Sequence, residues 1–131
     1  MVMGNQHCVP FRLHYAYIPS LLLGADVGHP GPGIQRPSVT SLVYTHSILS
    51  TQYSAITRIQ EPRQEVITDL YDCVGEALSE SLIHPDNTRV DPTKRTKEHL
   101  GIDAVFFYRD GLSEGEFATV AAQEISEIQR P

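Results

Sequence analysis

The stretch Leu21-Leu22-Leu23-Gly24-Ala25-Asp26-Val27-Gly28-His29-Pro30 constrains the fold of this chain more than any other. An apolar run short enough to be one buried strand ends on a single carboxylate, Asp26, and then breaks. A charge at the end of a core strand is costly unless it is paired, so Asp26 either caps a turn or holds a cation. Lone aspartates at strand ends are mostly turn formers. The cation reading therefore needs partner carboxylates elsewhere in the chain. The run Gly28-His29-Pro30-Gly31-Pro32-Gly33 that follows cannot be the interior of a helix or a strand and is a turn. It does not read as a phosphate loop, because Arg36 stands where a third glycine would be and strand-like residues follow instead of a helix.

Val39, Leu42, Val43 and Tyr44 make a second strand over residues 38–45. Ser54 to Gln60, with Ala55, Ile56 and Ile59, makes a third, closing an antiparallel meander through residues 47–52. Pro62 is expected to open a helix in which Val66, Ile67, Leu70, Val74, Ala77, Leu78 and Leu82 recur at helical spacing. Glu61 and Asp69 then read as first-turn and surface charges favoured by the helix dipole. Residues 84–97 read as a polar surface linker whose Lys94-Arg95-Thr96-Lys97 is a solvated loop in reach of phosphate. Ala104-Val105-Phe106-Phe107-Tyr108 is a fully apolar strand of the kind found in sheets covered on both faces, and it ends at Arg109-Asp110-Gly111. Ser113 with Glu116 forms a capping box for a last helix carried by Phe117, Val120, Ala121, Ile125 and Ile128.

The predicted order is β-β-β-α-β-α, an α/β fold with a mixed sheet. A helical crossover returns the fourth strand parallel to its neighbours, so the carboxyl ends of the first and fourth strands share one edge of the sheet. Asp26 and Asp110 meet there. Ligands of open α/β sheets sit at that edge, and two carboxylates on it make a hard-cation site.

Composition narrows the remaining classes. A chain of 131 residues is one ordinary domain, and its net charge of −6 is the wrong sign for a free-standing nucleic-acid binder. Cys8 and Cys73 form no disulfide framework or zinc spacing, and His7 beside Cys8 has no second pair at ligand distance along the chain. No segment is long and apolar enough to cross a bilayer, and Met1-Val2-Met3-Gly4-Asn5 lacks the features of a signal peptide. These features predict a soluble cytoplasmic protein, with a nuclear location also open and no membrane partner. Residues 1–20 form an unassigned lead-in, irregular apart from a candidate edge strand from Phe11 to Ile18.

Three motifs carry a family resemblance. Gly24-Ala25-Asp26-Val27-Gly28-His29-Pro30, then Arg63-Gln64-Glu65, then Phe107-Tyr108-Arg109-Asp110-Gly111-Leu112-Ser113-Glu114-Gly115 resemble, in order, the signatures of the PIWI domain of Argonaute proteins. The resemblance runs from about Leu21 to about Ile128, making residues 21–131 a partial PIWI domain. It implies an incomplete ribonuclease H-like fold and guide-directed cleavage of RNA in RNA silencing, with guide RNA and target RNA as partners and Mg2+ or Mn2+ as cofactor. Asp26 and Asp110 would be the two strand-end metal ligands, and Glu65 the inserted glutamate that completes the catalytic set. Two ions roughly 4 Å apart activate water and steady the leaving oxygen of an in-line displacement, which requires clustered carboxylates. The family's fourth ligand, an aspartate or histidine, is expected downstream of Pro131, together with the remaining strand of the sheet, its final helices and much of the basic guide-binding surface. The acidic balance of this chain is then that of the catalytic half.

Two other readings stand beside the nuclease. A truncated, non-catalytic piece would bind nucleic acid or a protein partner across its open sheet edge, since uncovered edges invite pairing. Gly111-Leu112-Ser113-Glu114-Gly115 also satisfies G-x-S-x-G between a strand and a helix, as a serine esterase would, but no histidine follows His99 and the capping box already accounts for Ser113.

Overall fold

The computed structural model describes residues 19–47, 52–85, 88–90, 97–99 and 101–130. The candidate edge strand from Phe11 to Ile18, the His7–Cys8 pair and the basic residues Lys94 to Thr96 lie outside them. The elements are β1 (Ser20–Gly28), β2 (Ser38–Thr45), β3 (Tyr53–Gln60), α1 (Leu70–Ile83), β4 (Thr88–Val90), β5 (Lys97–His99), β6 (Ala104–Arg109) and α2 (Glu114–Ile128). Four strands form a mixed sheet in the order β3-β2-β1-β6. The meander β1-β2-β3 is antiparallel, and β6 returns parallel to β1, as a crossover through a helix requires.

Strand alternation decides where the core sits. Leu21, Leu23 and Ala25 of β1, Leu42 and Tyr44 of β2 and Ile56 of β3 point to one face. There they pack against Ile67 and against Leu70, Cys73, Val74 and Ala77 of α1, with Phe107 of β6 and Ile128 of α2 at the margin. Leu21 and Leu70 are fully buried and Leu23 is 1% exposed, each worth about 1.5–3 kcal/mol of apolar burial. The opposite face carries Val39, Val43, Ile59 and Tyr108, all exposed. Both described helices therefore cover the same side.

Four features depart from the expected pattern. β1 runs on to Gly28, so Asp26 lies inside the strand rather than at its end. The first helix starts at Leu70, with Asp69 as its N-cap residue, and not at Pro62. Residues 62–69 cannot be its first turns because Arg63 has φ 62, a left-handed conformation closed to an α-helix. The side chain of Gln60 holds the segment instead: its Nε2 donates to the carbonyls of Gln64 (2.5 Å) and Val66 (3.2 Å), and its Oε1 accepts from Thr68 N (3.3 Å). The expected linker over residues 84–97 contains β4 and leads into β5, a short antiparallel pair separate from the main sheet. Finally, among the described residues β6 is not covered on both faces: it is the edge strand of their sheet, with Val105 41% and Tyr108 60% exposed.

Candidate functional site

The parallel register of β1 and β6 brings Asp26, inside β1, and Asp110, just past the end of β6, together. Ala25 pairs with Arg109, and Asp110 N donates to Ala25 O across 3.0 Å, so Asp26 and Asp110 follow as neighbours on the open face of the sheet. Each carboxylate is oriented by the next backbone amide: Val27 N donates to Asp26 Oδ1 and Gly111 N to Asp110 Oδ1, both at 2.8 Å. They line a shallow depression of about 330 Å³ together with Gly24, Ser41, Val43 and Tyr108. Gly111 adopts φ 80, and a Cβ there would lie 3.1 Å from Asp26 Oδ1. A glycine is required on both counts, and it keeps the space beside the Asp26 carboxylate open.

Glu65 reaches the same edge of the sheet by a different route. It sits in the non-helical loop before α1, and its Oε1 lies 2.7 Å from His29 Nε2, while His29 Nδ1 lies 2.8 Å from Ser38 Oγ. Arg109 Nη2 donates to the Glu65 carbonyl at 2.8 Å and stands 3.8 Å from Glu65 Oε2. Glu65 is thus tied to the turn that follows Asp26 and to the residue that precedes Asp110. It does not line the depression, and among the described residues no group of three His, Cys, Asp or Glu side chains is arranged to hold a metal ion. Asp26 and Asp110 are brought together; Glu65 is brought beside them through its partners, not into one cluster with them.

Sequence reasoning missed two residues that build this corner. The side chains of Arg109 and Glu124 are 3% and 0% exposed, and Arg109 Nε donates to Glu124 Oε1 at 3.1 Å. The same oxygen accepts from Ile67 N at 3.3 Å, while Glu124 Oε2 is buried with no hydrogen-bond partner among the described residues. Glu124 therefore fixes both the guanidinium that holds Glu65 and the end of the loop that carries it. The signal was present, because Glu124 interrupts the stripe Val120, Ala121, Ile128 on the buried side of α2, whereas Phe117 and Ile125 of the expected stripe are 58% and 47% exposed.

The remaining candidates fall elsewhere. Ser113 is the N-cap of α2, donating its hydroxyl to Glu116 Oε2 at 2.7 Å, so its partner is the capping-box carboxylate and not a histidine. That hydrogen bond holds the Glu116 carboxyl below its usual range. Burial pushes the Cys73 thiol up, which suits a core residue and not a nucleophile.

The Piwi domain family profile matches residues 2–131. The chain belongs to the Piwi domain family. The match takes in the lead-in before β1 as well as the sheet. Among solved structures, the Piwi chain is similar to Kluyveromyces polysporus Argonaute with a guide RNA, with a TM-score of 0.68 and 25% identity over 88% of this chain and 12% of that one. It is similar also to the C-terminal lobe of a budding yeast Argonaute, with a TM-score of 0.67 and 26% identity over 86% of this chain and 20% of that one. For the MID-PIWI domains of N. crassa QDE-2 AGO the TM-score is 0.65 at 23% identity, over 88% of this chain and 30% of that one, a likeness of fold. The β-β-β-α-β-α frame is thus the ribonuclease H-like fold of Argonaute PIWI structures, present in part. The Piwi chain spans between 12% and 30% of the length of these structures.

The residues at the Piwi sheet edge suit a hard divalent cation. Asp26 within β1 and Asp110 directly after β6 are carboxylate oxygen ligands oriented by backbone amides, with Gly111 leaving the volume beside Asp26 clear. Among the described residues no helix is long and apolar enough to cross a membrane.

Proposed function

We propose that this chain is the catalytic-side part of an Argonaute-like PIWI unit that binds guide RNA and target RNA and contributes Asp26, Glu65 and Asp110 to an RNA-cleaving site in RNA silencing. The observation that carries the reading is the parallel β1–β6 register, in which Asp110 N bonds Ala25 O and the two aspartates stand side by side. Asp26 and Asp110 would hold Mg2+ or Mn2+, and Glu65, steadied by His29 and Arg109, would complete the set. When bound, a pair of such ions supplies an activated water and charge stabilisation for in-line displacement at phosphorus. The chain's own residues hold the carboxylates in place: the Val27 and Gly111 amides orient the aspartates, and the Glu124–Arg109 pair holds the Glu65 backbone. The fourth ligand and the basic guide channel belong, on this reading, to other segments of a PIWI domain.

A second reading has its own support. Val39, Val43, Ile59 and Tyr108 leave an apolar sheet face exposed, as in a non-catalytic piece that acts by covering that face or the β6 edge with a protein or nucleic-acid partner. Incubating a PIWI domain completed with the remaining segments, with guide, target and Mg2+, beside its Asp26→Ala and Asp110→Ala variants separates the two. Cleavage lost in both variants is the expected result. Equal cleavage in all three discards the assigned site, and no cleavage in any of them favours the non-catalytic piece.

A further inference from the structure

One member of the network around Glu65 carries no charge and does not touch the depression. Ser38, the first residue of β2, is fully buried. Its Oγ lies 3.0 Å from Arg63 N and 2.8 Å from His29 Nδ1. A backbone amide can only donate, so Oγ accepts from Arg63. The hydroxyl proton is then left for Nδ1 of a neutral imidazole, which puts the ring proton on Nε2, 2.7 Å from Glu65 Oε1.

One hydroxyl therefore acts twice on the loop that carries Glu65. It anchors the backbone at Arg63, where φ 62 is disfavoured for any residue but glycine and needs an outside hold. Through His29 it also orients the donor that fixes the Glu65 carboxylate. Thr40 offers an internal contrast: it is 4% exposed on the same face of the same strand, but its hydroxyl donates to Arg58 O at 3.4 Å and not to the loop. We infer that Ser38 is the positioning residue for Glu65, setting the left-handed turn at Arg63 and the imidazole tautomer that together determine where the Glu65 carboxylate stands. This inference rests on reading Glu65 as part of the catalytic set and names the group that places it.

The test is made by NMR on the free 131-residue chain, without RNA or metal. Long-range 1H–15N spectra of the wild-type chain, at a pH where the imidazole is neutral, are expected to show His29 with its proton on Nε2; a proton on Nδ1 overturns the inference without any variant. In Ser38→Ala, the Arg63 amide is expected to exchange with solvent about fivefold faster, and the His29 tautomers to become mixed, as loss of one buried hydrogen bond implies. Thr40→Ala should change neither. Unchanged exchange and tautomer in Ser38→Ala, or the same changes in Thr40→Ala, overturn the inference. The nuclease reading is tested separately in the same sample by adding Mn2+, which should broaden the Asp26 and Asp110 amide signals; failure there leaves the Ser38 readouts standing, and the reverse also holds.

Discussion

The two faces of the sheet divide the labour of the site. On the covered face lie the groups that hold things in place: Arg109 and Glu124, buried against each other, and the apolar core of Leu21, Leu23 and Ile56. On the open face lie Asp26 and Asp110, exposed and beside a depression. Adjacent residues, Arg109 and Asp110, end up in opposite roles because side chains alternate across a strand. Charge is tolerated on the covered face only when paired and on the open face without that condition. Structural and functional substitutions should therefore separate by parity along β1 and β6.

The largest expected effect comes from breaking the buried pair. Glu124→Ala leaves the Arg109 guanidinium, 3% exposed, without its carboxylate and should cost about 3–5 kcal/mol in urea unfolding. Glu124→Leu with Arg109→Leu should recover much of that loss while releasing the Glu65 loop. If Glu124→Ala is as stable as the wild type, the covered face is not what holds this corner together.

Much of this arrangement was legible in the chain, and the parts that were not share a cause. β2 was readable end to end from Val39, Leu42, Val43 and Tyr44, and the α2 start from the Ser113–Glu116 spacing, because both signals are local. The meeting of Asp26 and Asp110 followed from topology, since a crossover forces β6 parallel to β1. The helix start at Leu70 was not readable: Pro62 and the apolar spacing favour a helix from there, and the side chains of Gln60 and Ser38 override them from another strand and strand end. Glu124 stands in the stripe of α2, but what pairs with it there is set by Arg109 of β6. β4 and β5, each of three residues, are too short for periodicity to register. The lost information is tertiary in every case.

The next effect is on ligand binding and not on folding. Asp110→Asn should abolish Mn2+-induced broadening at the sheet edge while changing stability by no more than about 0.5 kcal/mol, the range for exposed substitutions. A large loss of stability would move Asp110 into the structural class and erase the contrast with Arg109.

A pH experiment probes the covered face at its far end. Tyr44 is 2% exposed and donates to Glu80, and burial first, then that hydrogen bond, push its pKa from 10.0 up to about 12. The folded state holds this proton more tightly than the unfolded state, so the contribution is fully present below pH 10.0 and is lost as pH rises towards about 12. Urea unfolding across that window should show a steeper fall in stability for the wild type than for Tyr44→Phe. Parallel curves would mean that the phenol is not held as the geometry has it.

The smallest effect is the sharpest test of the two-face picture, because it compares two isoleucines on one strand. Ile56 is 5% exposed and packs in the core, whereas Ile59, on the open face, is 71% exposed. Ile56→Ala should cost about 2–5 kcal/mol through lost burial and the cavity left behind. Ile59→Ala should stay within about 0.5 kcal/mol, since little of its surface leaves water on folding. If Ile59→Ala instead approaches the cost of Ile56→Ala, something covers the open face in solution. Repeating the unfolding at several protein concentrations then separates the causes: a second copy of the chain makes the Ile59 effect grow with concentration, and cover from within the chain does not.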